Sequence, residues 1–313
     1  MAANRPEVIR DKSDMRAWSR SEKYRGKTLA LVPTMGFLHQ GHLSLIREAK
    51  SISDVIVVSI YVNPGQFAPS EDLATYPSDF HGDLRKLAEA GGVDAVFCPK
   101  NLYESGIERK KMDKDPSFGE EKAVSCLEKE EGGDGHETWI RVERLEKGLC
   151  GKSRPVFFRG VATIVAKLFN IVEPDIAVFG KKDYQQWRII CRMVRDIDFA
   201  VKIIGSEIVR EADGLAMSSR NVHLSPEERE KALSINRSLT KAKSAALHGQ
   251  NSSQEINDLI VQEICDAGGR IDYVEIVEQE SLVPVENINC PVVICVAVWF
   301  GNVRLIDNIE IKM

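Results

Sequence analysis

The stretch that decides the fold is Thr28-Leu29-Ala30-Leu31-Val32-Pro33-Thr34-Met35-Gly36-Phe37-Leu38-His39-Gln40-Gly41-His42. Its first five residues are continuously apolar and read as a buried strand. From His42 to Ser51, Leu43, Leu45, Ile46 and Ala49 recur at helical spacing. A strand that enters a glycine-bearing turn and then a helix leaves backbone N–H groups free at the positive end of the helix dipole, where a phosphate can sit. Gly41 allows close approach of the backbone. Two imidazoles three residues apart, His39 and His42, can face the same anion. The bland alternative is a turn whose histidines only cap or pack.

The same alternation continues outward. Strand-like runs at 55–62, 93–98, 175–179 and 201–204 are interleaved with helical periods at 79–90, 160–172 and 183–196. This β-α-β-α order predicts an α/β fold, a Rossmann-like parallel sheet with helices on both faces. The last third changes character. Ser225-Pro226-Glu227-Glu228 offers an N-cap serine, a proline at the first helical position and early acids, so a helix should run from there to about His248. A second helix fits 253–266. Strands at 271–277, 292–299 and 303–309 follow, the last two joined by a tight turn at Gly301-Asn302. The expected division is a nucleotide-binding domain over 1–208 and a smaller α+β lid domain over 209–313. Residues 104–135, dense in charge and carrying Gly132-Gly133-Asp134-Gly135, read as a surface insertion.

Composition narrows the function classes. The 313 residues carry a formal net charge of -5, with 43% hydrophobic and 28% charged residues, which suits a globular protein and gives no attraction to a nucleic-acid backbone. No apolar run approaches the ~20 residues a membrane span needs, and Met1 to Pro6 lacks the apolar core of a secretory signal. The expectation is a cytoplasmic enzyme. Seven cysteines without a C-x-x-C pair indicate neither a disulfide framework nor a structural zinc site.

His39-Gln40-Gly41-His42 fits the H-x-G-H signature of the nucleotidyl-transferase superfamily, in which the pair stabilises negative charge as pyrophosphate leaves. That motif alone would equally suit an adenylyl- or cytidylyltransferase. Further stretches are more selective: Val62-Asn63-Pro64-Gly65-Gln66-Phe67, Glu71-Asp72-Leu73 with Tyr76-Pro77, Gly180-Lys181-Lys182-Asp183-Tyr184-Gln185-Gln186, and the run from Arg210 to Asn221. In this order they resemble the pantothenate synthetases, with matches from about Leu29 to Leu224. The C-terminal part resembles that family mainly in its element order.

The resemblance implies an ATP-dependent ligase that joins pantoate to β-alanine through a pantoyl-adenylate, with Mg²⁺ on the nucleotide and a homodimeric assembly. It implies an ATP site of Met35, Gly36, His39, Gly41, His42, Gly180, Lys181, Lys182, Asp183, Val209, Met217, Ser218, Ser219 and Arg220. Of these, His39, His42, Lys182, Ser218, Ser219 and Arg220 would carry the charge of adenylation. Thr34, Met35, Asn63, Gln66 and Gln186 would form the pantoate pocket, and Gln66 would also meet β-alanine. These roles agree with the chemistry of the residues. Lysine supplies a point charge, arginine a fork for phosphate oxygens, and a neutral amide can donate to a carboxylate. Asp83 is a candidate metal contact, an ordinary solvated helix acid being its alternative. Two departures stand out. Bacterial relatives commonly carry Gly-His-Phe where this chain has Val156-Phe157-Phe158 after Arg154-Pro155, and many relatives carry glutamate at the position of Lys181.

Overall fold

The computed structural model describes residues 5–68, 71–103 and 136–312, so the charged stretch 104–135 lies outside the described residues. Its larger sheet is built from β1 (Glu7–Ile9), β2 (Leu29–Thr34), β3 (Val55–Ile60), β4 (Ala95–Phe97), β5 (Ile176–Gly180) and β6 (Lys202–Ser206). They lie in the order β1-β4-β3-β2-β5-β6. Every pairing is parallel.

Alternation along the strands explains why both faces are covered. Leu29 and Leu31 of β2 point into one core, with Val55 and Val57 of β3, and meet α1 (Lys12–Tyr24), α5 (Phe157–Val172) and α6 (Tyr184–Asp196). Ala30 and Val32 point into the other, with Ile56 and Val58, and meet α2 (Gln40–Ile52) and α3 (Phe80–Ala90). Parallel strands buried on both faces read as continuous apolar runs, which is why β3 is apolar at every position except Ser59.

The first strand expected from the sequence is the second in the chain. β1 is a three-residue edge strand, and α1 buries only Met15, Ser19 and Glu22, too little apolar surface to print a helical period. The remaining strands and helices stand within a few residues of their expected positions. α5 begins at Phe157 rather than Gly160, and a short helix α4 (Leu149–Ser153) precedes it.

The smaller sheet, β7 (Arg270–Glu278), β8 (Val292–Phe300) and β9 (Val303–Ile311), is antiparallel in that order. β8 has two dry faces. Ile294, Val296 and Val298 pack against α7 (Pro226–Leu247) and α8 (Ser253–Asp266). Val293 and Cys295 pack with Leu149 and Tyr184 from the larger unit. The second contact seats the small sheet on the α4–α6 side of the large one. Among the described residues no helix is long and apolar enough to cross a membrane.

Candidate active site

In an open parallel sheet, ligands bind beyond the carboxyl ends of the strands where the strand order reverses. Here that point lies between β2 and β5, since the chain builds β2, β3 and β4 in one direction and β5 and β6 in the other. A cavity of about 280 Å³ opens there.

Its first wall is the turn after β2. Thr34 Oγ1 donates to the Ser59 carbonyl at 2.8 Å and accepts from Gly36 N–H at 3.2 Å. Gly36 sits at φ 89°, and a Cβ there would stand 3.1 Å from the Asp83 carboxylate. That carboxylate, only 1% exposed, accepts from Phe37 N–H at 2.8 Å and from Leu38 N–H at 2.7 Å. Asp83 is therefore the brace of the turn, not a solvated helix acid, and each of its two oxygens accepts from a backbone amide. Burial raises its pKa against the pull of those two hydrogen bonds and of Lys86.

The turn delivers the histidine pair to the start of α2. Gly41 N–H donates to His39 Nδ1 at 3.1 Å, and His39 N–H donates to His42 Nδ1 at 3.3 Å. The ring centroids lie 4.1 Å apart. A Cβ on Gly41 would fall 2.8 Å from the His39 ring, so glycine is what lets the ring close over the helix start. Burial, then Lys182, pushes the His39 pKa down to about 4. Burial, then His39 itself, pushes His42 down to about 3. Both rings are neutral at pH 7. Because each Nδ1 accepts from the backbone, each proton is assigned to Nε2, which makes the pair two neutral donors at a helix N-terminus.

The second wall follows β3. Asn63 Nδ2 donates to Gln66 Oε1 at 2.9 Å and to the Gly160 carbonyl at 3.2 Å, while Asn63 Oδ1 accepts from Tyr103 OH at 2.6 Å. With its oxygen occupied, Gln66 turns its amide N–H toward Met35 Sδ, 3.2 Å away. Arg154, which also lines the cavity, binds Glu71 at 2.5 and 2.9 Å, with its guanidinium 3.8 Å above the Phe157 ring. At the first of the two departures noted in the sequence, this chain thus uses Phe157 to flank Arg154.

The third wall follows β5 and contributes Gly180, Lys182, Asp183 and Gln186. The Gln186 side chain has no hydrogen-bond partner among the described residues, whereas its neighbour Gln185 is buried and spends its amide on the Leu145 and Gly148 carbonyls. Lys181 departs from expectation. It does not line the cavity itself; its ammonium pairs at 2.6 Å with Glu207, which does, and at 2.9 Å with Glu310, so it ties β9 to the larger sheet. The last wall follows β6. Val209 and Met217 are held together by the Met217 N–H to Val209 carbonyl bond at 3.0 Å. Ser218, Ser219 and Arg220 continue the wall, with Arg220 5.8 Å from the Tyr76 ring.

One cavity therefore gathers every expected residue except Gly36, Lys181 and Asp83, which act from behind it. Sequence reasoning missed Arg304 and Ile306 of β9, which also line it. It missed Asn308 too, whose amide donates to the Lys181 and Lys182 carbonyls at 2.9 Å each. No local motif marks them. Among the described residues no group of three or more His, Cys, Asp or Glu is arranged to hold a metal ion.

Comparison with known proteins supplies the family. The family profile described as Pantoate-beta-alanine ligase matches residues 7–310. The chain belongs to the pantoate–β-alanine ligase family. A pantoate–β-alanine ligase of Oryza sativa subsp. japonica is 71% identical across 99% of both chains. That of Arabidopsis thaliana is 66% identical across 98% of this chain and 99% of its own. A pantothenate synthetase structure from Thermus thermophilus covers 98% of this chain and 100% of its own, with TM-score 0.82 at 37% identity. A ligase of the family from Francisella tularensis, complexed with β-γ ATP and β-alanine, has TM-score 0.71 at 31% identity and covers 97% of each chain. The protein is thus an enzyme of the family that makes pantothenate from pantoate and β-alanine.

Proposed function

We propose that this ligase works in two steps on MgATP, with the metal ion entering on the triphosphate as part of the substrate. A carboxylate cannot expel oxide, so it must first be activated. In the first step a pantoate carboxylate oxygen attacks the α-phosphorus, the bond from that phosphorus to the bridging oxygen breaks, and pyrophosphate leaves with the electron pair. In the second, the neutral amine of β-alanine attacks the acyl carbon, the bond from that carbon to the phosphate oxygen breaks, AMP leaves with the electron pair, and the nitrogen gives up a proton to solvent. His39, His42, Lys182, Ser218, Ser219 and Arg220 would meet the charge that develops on the phosphate oxygens, and Asp183 would accept from a ribose hydroxyl. Gln66, Gln186, Asn63 and Met35 would orient pantoate, and Gln66 would meet the incoming amine substrate.

The observation that carries this reading is the pairing of two neutral Nε2–H donors with an uncharged amide pocket in one cavity. Neutral imidazoles can donate to phosphate without the cost of burying two cations side by side. Uncharged amides can hold a carboxylate without neutralising the nucleophile. The Francisella tularensis relative, complexed with a nucleotide and β-alanine, supports the same pair of ligands here. Pantoate-dependent exchange of labelled pyrophosphate into ATP, in the absence of β-alanine, is the test. Exchange that ran equally well without pantoate would overturn the adenylate mechanism.

A further inference from the structure

A second cavity of about 760 Å³ lies on the outer side of His39, between α2, α3 and the segment after β6. It shares His39, Met217, Ser218 and Ser219 with the first cavity, and none of Asn63, Gln66 or Gln186 lines it. The amide pocket therefore faces the first cavity, as do His42, Lys182 and Arg220, while His39, Ser218 and Ser219 face both.

The charges around this second cavity are unequal. Lys86 of α3 donates to the Leu38 carbonyl at 2.7 Å. It is also near enough to both imidazoles to contribute, with Lys182, to their lowered pKa values. Arg47 of α2 is exposed and has no ion-pair partner among the described residues. Arg229 is spent on Glu211 and Asp213, at 2.7 Å each. Glu89, exposed on α3, is the opposing carboxylate. Among the lining residues alone, Arg229 offsets Glu211, which leaves the cations Lys86 and Arg47 against Glu89.

We propose that this second cavity receives and releases inorganic pyrophosphate, with Lys86 and Arg47 as its cations, an inference that rests on the adenylation reading above. Displacement at phosphorus proceeds in line, so the leaving group emerges on the side away from the attacking carboxylate. The carboxylate is held at the amide pocket. The pyrophosphate, carrying the electron pair of the broken P–O bond, moves past His39, Ser218 and Ser219 into a cavity whose cations stabilise it. The acyl-adenylate then need not leave the first cavity for the pyrophosphate to do so.

The test uses the full-length enzyme in pantoate-dependent ATP–pyrophosphate exchange, with inorganic pyrophosphate as the varied ligand. Arg47→Glu is expected to raise the half-saturating pyrophosphate concentration roughly 3–10-fold, the scale of partly screened surface charges. Glu89→Gln, of opposite sign, is expected to lower it. Both shifts should shrink as ionic strength rises to about 0.5 M, and the half-saturating pantoate concentration should stay where it was. A purely structural effect would not reverse sign between the two variants or fade with salt. An unchanged pyrophosphate requirement in Arg47→Glu, shifts of the same sign in both variants, or an equal rise in the pantoate requirement would overturn the exit. Loss of pantoate-dependent exchange in the wild-type enzyme would instead overturn the adenylation reading, and the exit with it.

Discussion

His39 and His42 are neutral because their surroundings resist a proton, and this sets how stability responds to pH. Their folded pKa values, about 4 and about 3, lie below the ordinary histidine value of 6.5. Between those limits the unfolded chain binds protons that the folded chain does not, so the pair's contribution to stability is complete above about pH 6.5 and is lost as pH falls toward 4 and 3. His39→Asn/His42→Asn should accordingly lose less Tm than wild type between about pH 7 and pH 5. An equal loss in both proteins would mean that these rings do not couple folding to protons. The two glutamines offer a separate comparison. The Gln66 side chain is fixed by Asn63 and Met35, whereas that of Gln186 has no hydrogen-bond partner among the described residues. A hydrogen bond to a charged group is worth about 1.5–3 kcal/mol, so Gln66→Ala and Gln186→Ala should each lower kcat/KM for pantoate roughly 10–150-fold. ATP binding should change little in either. Calorimetry that found ATP binding lost and pantoate use intact would place the acid pocket elsewhere.

At the scale of elements, α3 acts through one residue. Asp83 reaches from its first turn to the amides of Phe37 and Leu38, and thereby fixes the loop that carries the histidines to α2. Asp83→Asn would turn an N–H against one of those amides and leave it bare. The expected cost is about 1–3 kcal/mol in thermal unfolding, together with slower adenylation. Recovery of full stability and rate in that variant would show that the loop holds its shape without the brace. The sequence marked Asp83 as worth attention but could not give it this task, because the contact joins residues 46 positions apart along the chain. The elements themselves were legible wherever a buried face imposes a period, as in β3 and α2. β1 and α1 were not, since a three-residue strand and a mostly polar helix leave no apolar pattern to read. Lys181 illustrates the same limit at the site. Its place beside Lys182 and Asp183 implied a nucleotide contact, but the turn after β5 points successive side chains in different directions, and this one meets Glu310 of β9.

Across the whole molecule, the site is completed by a sheet that carries none of the recognised motifs. β8 is buried on both faces, one against α7 and α8 and the other against Leu149 and Tyr184, so the small sheet cannot shift without exposing apolar surface. β9, at its side, then reaches the chemistry. Arg210 grips Asp307 at 2.7 and 3.0 Å, which fixes the segment leading to Ser218. Asn308, 4% exposed, donates from its amide to the Lys181 and Lys182 carbonyls, which flank the Lys182 backbone on both sides. This predicts that Asn308→Ala acts on a lysine it does not touch through its side chain. Two carbonyls would lose their donors at a net cost of about 0.5–1.5 kcal/mol each, so thermal stability should fall by about 1–3 kcal/mol. Lys182, released from its fixed backbone, should serve the phosphates less well, slowing adenylation in single turnover. The attack of β-alanine on preformed pantoyl-adenylate needs no pyrophosphate to leave, and its rate should change less. If both half-reactions slowed alike while ATP affinity stayed unchanged, Asn308 would be supporting the fold as a whole rather than positioning Lys182.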